Sequence, residues 1–474
     1  MSQFTKPSDV LTYLAQDDVA YVNVKFVDPF GVWQNLTMPK GEVNADLFVD
    51  GLPFDGSSVR GWQSINESDM LLMLDASSAF IDPFMPGTLS ITADIASPDT
   101  KKPYARDPRT MAKKAVEYLK TTGIGDTAYF GPEAEFFIFD SVKYSTGVGH
   151  SSYKIDSEEA SWNTDRDELE TGGNTGYKIG LKRGYFPVAP IDKTGEIRME
   201  MMNVLQEIGI TVEKGHHEVA TAGQGEINFR FDGLVETADN MMKYKYVLRN
   251  VAAQYGKYLT FMPKPLAGDN GSGMHCHLSI WKNGENQFSG DQYAGLSETA
   301  LYAIGGIIRH GKALAAFTNP TVNSYHRLIP GFEAPVCLGY SYKNRSVAIR
   351  IPYVASAKAR RIECRFPDAS SNPYLAFSAL LCAAIDGIQQ KITPNKALDF
   401  DLYEASAEEI AQIPQMPASL EEAIESLKTD REFLEKTGVF DPAFVDMWIE
   451  TKMEEVNVIR RSINPKEFEL YSDV

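Results

Sequence analysis

The chain has 474 residues, 43% hydrophobic and 23% charged, the balance of an ordinary globular protein with room for more than one domain. A net charge of −18 argues against nucleic acid or an anionic membrane as a partner for the surface as a whole. Four scattered cysteines, Cys276, Cys337, Cys364 and Cys382, with no Cys-x-x-Cys spacing exclude a disulfide framework and a zinc knuckle.

The chain opens on a short capped helix, Ser8 to Gln16, with no basic region and apolar core of a signal peptide ahead of it. Val19 to Val27 and Val32 to Met38 read as strands joined by the turn signal Asp28-Pro29-Phe30-Gly31. Asp55-Gly56-Ser57-Ser58 is a loop, and the polar stretch Ala96 to Arg109 a linker, so a small first domain (residues 1–105) precedes a large second one (residues 106–474). Asp107-Pro108 opens a helix running to about Lys120. Tyr129 to Phe139 is a buried strand, whereas Ser145 to Gly180, rich in Gly, Ser, Asn and Asp, reads as an excursion rather than packed structure. Helical periodicity follows in Asp239 to Tyr258, Ser297 to Phe317, Pro373 to Lys391, Ser419 to Glu435 and Pro442 to Arg461. The longest apolar stretch, Tyr374 to Ile385, is too short to span a bilayer, so no membrane contact and a cytoplasmic location are expected.

Within the buried strand stand Glu133 and Glu135. Residues i and i+2 of a strand share a face and lie roughly 7 Å apart. Two carboxylates placed so, and stripped of water, cost several kcal/mol each unless cations compensate. The same period-two habit recurs: Glu226, Asn228, Arg230 and Asp232 share one face, as do His275, His277 and Ser279, and again Arg361, Glu363 and Arg365. Solvent faces of half-exposed antiparallel strands are one reading. Such faces favour Thr, Lys and Ser, however, and a concave sheet with polar stripes facing a cavity fits Glu, His and Arg better.

Glutamates with a single imidazole suit Mg²⁺ or Mn²⁺ rather than zinc. Glu133, Glu135, Glu218, Glu226 and Glu363 carry charge that two divalent ions would nearly offset. A bound nucleoside triphosphate would then call for nearby cations, which Lys343 to Arg350 and Lys358 to Arg365 supply. Arg350 and Arg365 are set in apolar strands, where an unpaired guanidinium is costly.

Six stretches carry a resemblance to the glutamine synthetase family. They are Phe54 to Ser58, Gly131 to Phe136, His216 to Glu226, Asn270 to His277, Asn323 to Pro335, and Arg345 to Asp368. They run in order from about residue 50 to 375, and length and termini are similar to the bacterial type I enzyme, with the Ser145 to Gly180 excursion resembling the insertion of its longer subgroup. The resemblance implies an α+β fold: a small β-grasp-like N-terminal domain contributing to the neighbouring subunit's active site, and a catalytic domain with a curved antiparallel sheet flanked by helices. It implies a dodecamer of two stacked hexamers, with two Mg²⁺ or Mn²⁺ per site and ATP as co-substrate. The metal ligands it implies are Glu135, Glu218 and Glu226 for one ion and Glu133, His275 and Glu363 for the other. Glu213, His277, Ser279, Arg345, Arg350 and Lys358 match ATP contacts, and Asn270, Gly271, Arg327, Glu333 and Arg365 match glutamate contacts. Asp55, Ser58, Tyr185 and Glu333 match the ammonium site, with Asp55, Glu333, Arg345 and Arg365 in catalytic roles. His216 and His217 are read as structural.

The implied reaction joins ammonia to L-glutamate through a γ-glutamyl phosphate made from ATP, giving glutamine, ADP and phosphate. Asp55 would take a proton from a caged ammonium, and Glu333, on a Pro/Gly-flanked loop, would close over the acyl phosphate. Without the resemblance, Asp55 reads as the turn-forming residue of Asp-Gly-Ser-Ser. Tyr403 aligns with a tyrosine that some type I enzymes have adenylylated. The usual surroundings are absent apart from Leu402-Tyr403, which favours a plain loop tyrosine. A γ-glutamyl ligase acting on another amine, and an inactive homologue, are the alternatives. The retained ammonium cage speaks against the first and the complete ligand set against the second. Feedback inhibitors and regulatory proteins leave no sequence trace, and the C-terminal tail is open between docking into a facing ring and fraying.

Overall fold

A computed structural model describes residues 4–16, 18–62, 68–163, 176–330, 334–400, 402 and 406–472. Five strands make the first sheet: β1 (Tyr21–Val27), β2 (Trp33–Pro39), β3 (Leu52–Asp55), β4 (Asp69–Ile81) and β5 (Thr88–Ala96). Their order is β2-β1-β5-β4-β3, with β1 and β5 parallel and the other pairs antiparallel. The expected turn between β1 and β2 forms because the Asp28 carboxylate accepts from the backbone N–H groups of Phe30 and Val32, both at 2.9 Å. Val22, Val24, Leu72, Leu89 and Ile91 pack into a core of their own, separate from the larger one that follows.

The second sheet takes up β6 (Thr127–Phe139), β9 (Val212–His217), β10 (Gln224–Phe229), β11 (Asp232–Gly233), β12 (Tyr258–Thr260), β13 (Met274–Lys282), β14 (Glu285–Asn286), β15 (Cys337–Tyr342), β16 (Val347–Ile351) and β17 (Ile362–Cys364), while β7 (Ser141–Gly147) and β8 (His150–Asp156) pair only with each other. Its main path is β15-β16-β17-β13-β6-β10-β9. The pairing is antiparallel except for β15 and β16, which run parallel, a departure from the purely antiparallel sheet expected. The class is α+β, as the family resemblance implied.

Along β6 even-numbered residues such as Phe130, Ala134 and Phe136 are buried in the core, while Tyr129, Glu133 and Glu135 face the other way. The core side is closed by two helices. In Leu234–Gln254, Tyr244 donates to the Ala134 carbonyl at 3.0 Å. In Pro373–Gln390, buried from Pro373 to Gly387, Phe377 stacks on Phe130 at 4.9 Å. Helix Pro108–Thr122 begins where predicted, with the Asp107 carboxylate accepting from the N–H groups of Arg109 and Thr110.

Three expectations are corrected. The excursion from Ser145 to Gly180 is partly structured: β7 and β8 form a hairpin, and Ala160 bridges Ile179, with 164–175 outside the described residues. The single helix expected over Ser297 to Phe317 breaks at His310 into Glu298–Arg309 and Gly311–Thr318, because the His310 ring is held by Asp386 and Asp430. Helix Gly195–Glu207 was not anticipated, since its polar residues are interspersed with its three methionines and leucine without a clear stripe. Among the described residues no helix is long and apolar enough to cross a membrane.

Candidate active site

The polar face of the second sheet is assembled by register. Glu133 on β6 stands opposite His275 on β13, and two residues further along β13, His277 stands opposite Glu363 on β17. On the other side of β6, Glu135 stands opposite Glu226 on β10, which in turn faces His216 on β9. Arg350 on β16 faces Glu363. Four stripes far apart in sequence thus lie on adjacent strands, each about 4.8 Å from the next.

Glu133, His275 and Glu363 each bring a ligand atom within 4.8 Å of the others. The His275 Nδ1 is 3.7 Å from Glu133 and 3.9 Å from Glu363. Arg361 donates to Nδ1 of His277 at 3.2 Å, so the proton of that ring sits on Nε2, which faces Glu133 at 3.2 Å. Burial pushes Glu133 upward, but hydrogen bonds from His275 and His277 outweigh it and hold the carboxylate ionised. Burial and the neighbouring Arg365 lower the His275 pKa, favouring the neutral imidazole a metal requires. Glu363 is fully buried between Arg350 and Arg365, the latter donating at 2.6 Å; against the burial penalty, His277 and Arg365 keep it ionised.

A second group comprises His216, Glu218 and Glu226. The His216 ring lies 3.4 Å from Glu218 and 3.5 Å from Glu226, and Asn228 donates to Glu226 at 2.9 Å. Glu135, expected in this group, is turned aside: its carboxyl accepts from the Gly273 N–H at 2.9 Å and from Gln224 at 3.2 Å. Burial, then the charge of Glu226, pushes the Glu135 pKa up to about 8. Glu135 and Glu218 still line one small cavity with Asn270, Gly271, His275, Arg327 and Arg365. Gly273 must lack a side chain there, because a Cβ would sit 2.5 Å from the Arg327 guanidinium. His216, read as structural from the sequence, lies within reach of both the Glu218 and the Glu226 carboxylates. Its spacing of two from Glu218 was the available signal, and the register to Glu226 was not legible in the sequence.

The remaining expected residues divide clearly. Glu213, His277, Ser279 and Lys358 line one cavity of about 320 Å³ beside Glu133, with Tyr129, Phe231 and Trp281 as its aromatic wall. Arg345 opens into a neighbouring cavity with Lys343 and Phe400, and its charge bears on Tyr185, whose pKa burial and Glu218 raise. Arg327 donates to the carbonyls of Arg365, Phe366 and Pro367. Asn270 is buried with its carbonyl oxygen unpartnered, as are the Nε atoms of Arg350 and Arg365. Asp55 and Ser58 sit apart on the edge of the first sheet. Asp55 accepts from Ser57 and Ser58, which lowers its pKa, and these hydrogen bonds all lie within the Asp-Gly-Ser-Ser turn. Glu333 and Tyr403 lie outside the described residues.

Buried carboxylates that repel one another, set against buried guanidiniums with unused donors, form a face suited to cations and anions lying between them. That is the logic of a metal-dependent enzyme that handles phosphates and carboxylates. Comparison with known proteins is specific. The models described as the glutamine synthetase β-grasp domain and the glutamine synthetase catalytic domain match residues 18–98 and 105–471. The glutamine synthetase of Aquifex aeolicus is 57% identical over all of both chains, and that of Azotobacter vinelandii 56% identical over 98% of this chain and all of the relative. A cryo-electron-microscopy structure of Plasmodium falciparum glutamine synthetase superposes with a TM-score of 0.91 at 30% identity, covering 99% of each chain. The chain belongs to the glutamine synthetase family. It is a ligase that makes glutamine from glutamate and ammonia at the expense of ATP, in a family that uses divalent metal.

Proposed function

We propose that the face built from β6, β9, β10, β13 and β17 carries the reaction through γ-glutamyl phosphate. The observation that bears most weight is the convergence, by strand register, of two ligand groups with Arg350 and Arg365 donating to Glu363 between them. Glu133, His275 and Glu363 would hold one Mg²⁺ or Mn²⁺. Glu218 and Glu226, joined by Glu135 from the cavity it shares with Glu218, would hold the other. Divalent ions held by these residues would supply positive charge to offset that of the phosphates.

ATP lies in the cavity of Glu213, His277, Ser279 and Lys358, with Arg345 and Arg350 towards its phosphates. Glutamate is held by Arg327, Arg365, the backbone of Gly271 and the unpartnered carbonyl of Asn270, which suits the substrate's ammonium group. A γ-carboxylate oxygen attacks the γ-phosphorus and ADP leaves. Ammonium is attracted by Asp55, Ser58, Tyr185 and Glu333; Asp55 takes one proton, the freed nitrogen attacks the acyl carbon, and phosphate departs. Arg345 and Arg365 stabilise the charge that moves onto the transferred group, and Glu333 excludes water.

The separation of Asp55 from the second sheet supports a site shared between neighbours, and with it the dodecamer of two stacked hexamers. We place the division between a β-grasp domain (residues 1–105) and a catalytic domain (residues 106–474) at the polar stretch between the two cores, and the enzyme in the cytoplasm. Tyr403 remains a candidate for modification. The test is ADP release with glutamate and ATP, comparing ammonium with methylamine and larger amines. Turnover with ammonium well above every amine is expected; equal or better turnover with an amine overturns the ammonium cage.

A further inference from the structure

Glu159 lies in the stretch between β8 and the helix Gly195–Glu207, remote in sequence from every residue assigned above. Its side chain is 2% exposed, and an isolated buried carboxylate would cost several kcal/mol. It is fully engaged instead. One oxygen accepts from His217 Nε2 at 2.8 Å and from the Gly223 N–H at 2.5 Å, and the other from the Lys193 N–H at 3.1 Å. His217, itself buried, directs its other ring nitrogen to the carbonyl of Glu218 at 2.7 Å.

The consequence is geometric. Residues 218–223 form a loop whose start is anchored through His217 and whose end is anchored at Gly223, both by the same carboxylate. The Gly223 end is held further by its carbonyl, which accepts from the Ile138 N–H at 2.9 Å, and its φ of +58° and a Cβ clash of 2.1 Å with the Ile138 carbonyl exclude any side chain there. Glu218 is the first residue of that loop, and its carboxylate belongs to the group with His216 and Glu226.

We propose that Glu159 is a positioning residue for the Glu218–Glu226 cation site. Acting through His217 and the Gly223 N–H, it fixes where the Glu218 carboxylate stands. This rests on the reading that Glu218 and Glu226 hold a divalent ion. The test is Mn²⁺ titration of the full-length enzyme without nucleotide or glutamate, with free Mn²⁺ counted by electron paramagnetic resonance and Tm measured in parallel. Glu159→Gln keeps the size and removes the charge. It is expected to weaken one class of Mn²⁺ sites by about 10–100-fold and leave the other at wild-type affinity, the scale of an outer partner that orients a ligand. His217→Gln, a second route should the first variant not fold, should weaken the same class. The double variant should add little, because both residues act through one contact.

Glu226→Gln is the control for the underlying reading. If it leaves both classes of Mn²⁺ sites intact, the assignment of the ion to Glu218 and Glu226 fails. If Glu226→Gln removes a class that Glu159→Gln and His217→Gln leave at wild-type affinity, the positioning role fails. Equal weakening of both classes together with a fall in Tm would make Glu159 a general structural residue and likewise overturn the proposal.

Discussion

Arg109 joins the two sheets, and its removal should be among the most damaging single changes outside the catalytic face. From helix Pro108–Thr122 it donates Nε and Nη2 to Asp239 at 2.9 and 2.8 Å, Nη1 to Asp94 at 2.7 Å and Nη2 to Asp75 at 2.6 Å. Asp75 and Asp94 belong to β4 and β5 of the first sheet, and Asp239 to the helix that packs on the second. Tyr374 adds a hydrogen bond to Asp239 at 2.5 Å, and Lys113 pairs with Asp94 at 2.5 Å. Lys243, buried over the Phe80 ring at 5.1 Å, stands beside the same cluster. Arg109→Met removes one positive charge from among three paired carboxylates that are at most 23% exposed. Breaking a buried pair in this way costs about 3–5 kcal/mol. Asp75 alone accounts for part of it. Burial would raise its pKa, yet the charge of Arg109 and a hydrogen bond from Ser77 bring it down from 3.8 to about 2, worth about 2 kcal/mol at neutral pH. Because that pKa is depressed, the contribution is present above pH 3.8 and fades as pH falls through 2. Urea denaturation at pH 7 should show the full loss for Arg109→Met. A double-mutant cycle with Asp239→Asn should give a coupling above about 1 kcal/mol. A loss below about 1 kcal/mol at pH 7, or additive single changes, would refute the argument.

Glu363→Ala should abolish turnover, and because it strands Arg350 and Arg365 in the core it should also lower Tm; near-normal activity would refute the metal assignment. Asp55→Asn should lower kcat/KM for ammonium by about 10²–10⁴-fold while leaving the KM values for ATP and glutamate close to wild type, and equal losses for all three would exclude a proton-accepting role. His310 stands between Asp386 and Asp430, with Lys436 on the far side of Asp386. Burial alone would lower its pKa, but hydrogen bonds to the two aspartates raise it above 6.5. Its stabilisation is therefore complete below pH 6.5 and lost as pH rises through the higher folded value. Wild-type Tm should decline over that window more steeply than that of His310→Gln, and parallel curves would refute the pairing.

What the sequence displayed was alternation, and alternation was enough to put Glu133, Glu135, His275 and Glu363 on polar faces. It could not show which strands were neighbours, since register is set by non-local pairing and a one-residue slip would have turned every stripe inward. The place of His216 beside Glu226 was hidden for that reason, because it follows from the register of β9 on β10. Glu159 was invisible for another reason. Its loop lacks periodicity, and nothing local marks a carboxylate whose partners lie some sixty residues away. The break at His310 was hidden because apolar periodicity continues across it, while the aspartates that hold its ring come from distant helices. The caps that are purely local, Asp107 before its helix and Asp28 in its turn, fell where the residue types placed them.

Register also explains why two glutamates so close on one strand do not defeat the fold. β6 is a central strand, with β13 on one side and β10 on the other. Glu133 is opposite His275 and Glu135 is opposite Glu226, so neighbouring carboxylates on one face are directed to different partners. The charges are handled differently as well: Glu133 is kept ionised by two imidazoles, while Glu135 is pushed towards its neutral form by burial and by Glu226. An unliganded face thus avoids placing two full charges side by side. A cation arriving near Glu226 would offset the second of those two causes, leaving burial as the one that still opposes ionisation of Glu135. The rise between residues i and i+2, roughly 7 Å, sets the spacing of Glu133 and Glu135 through the backbone rather than through side-chain rotamers.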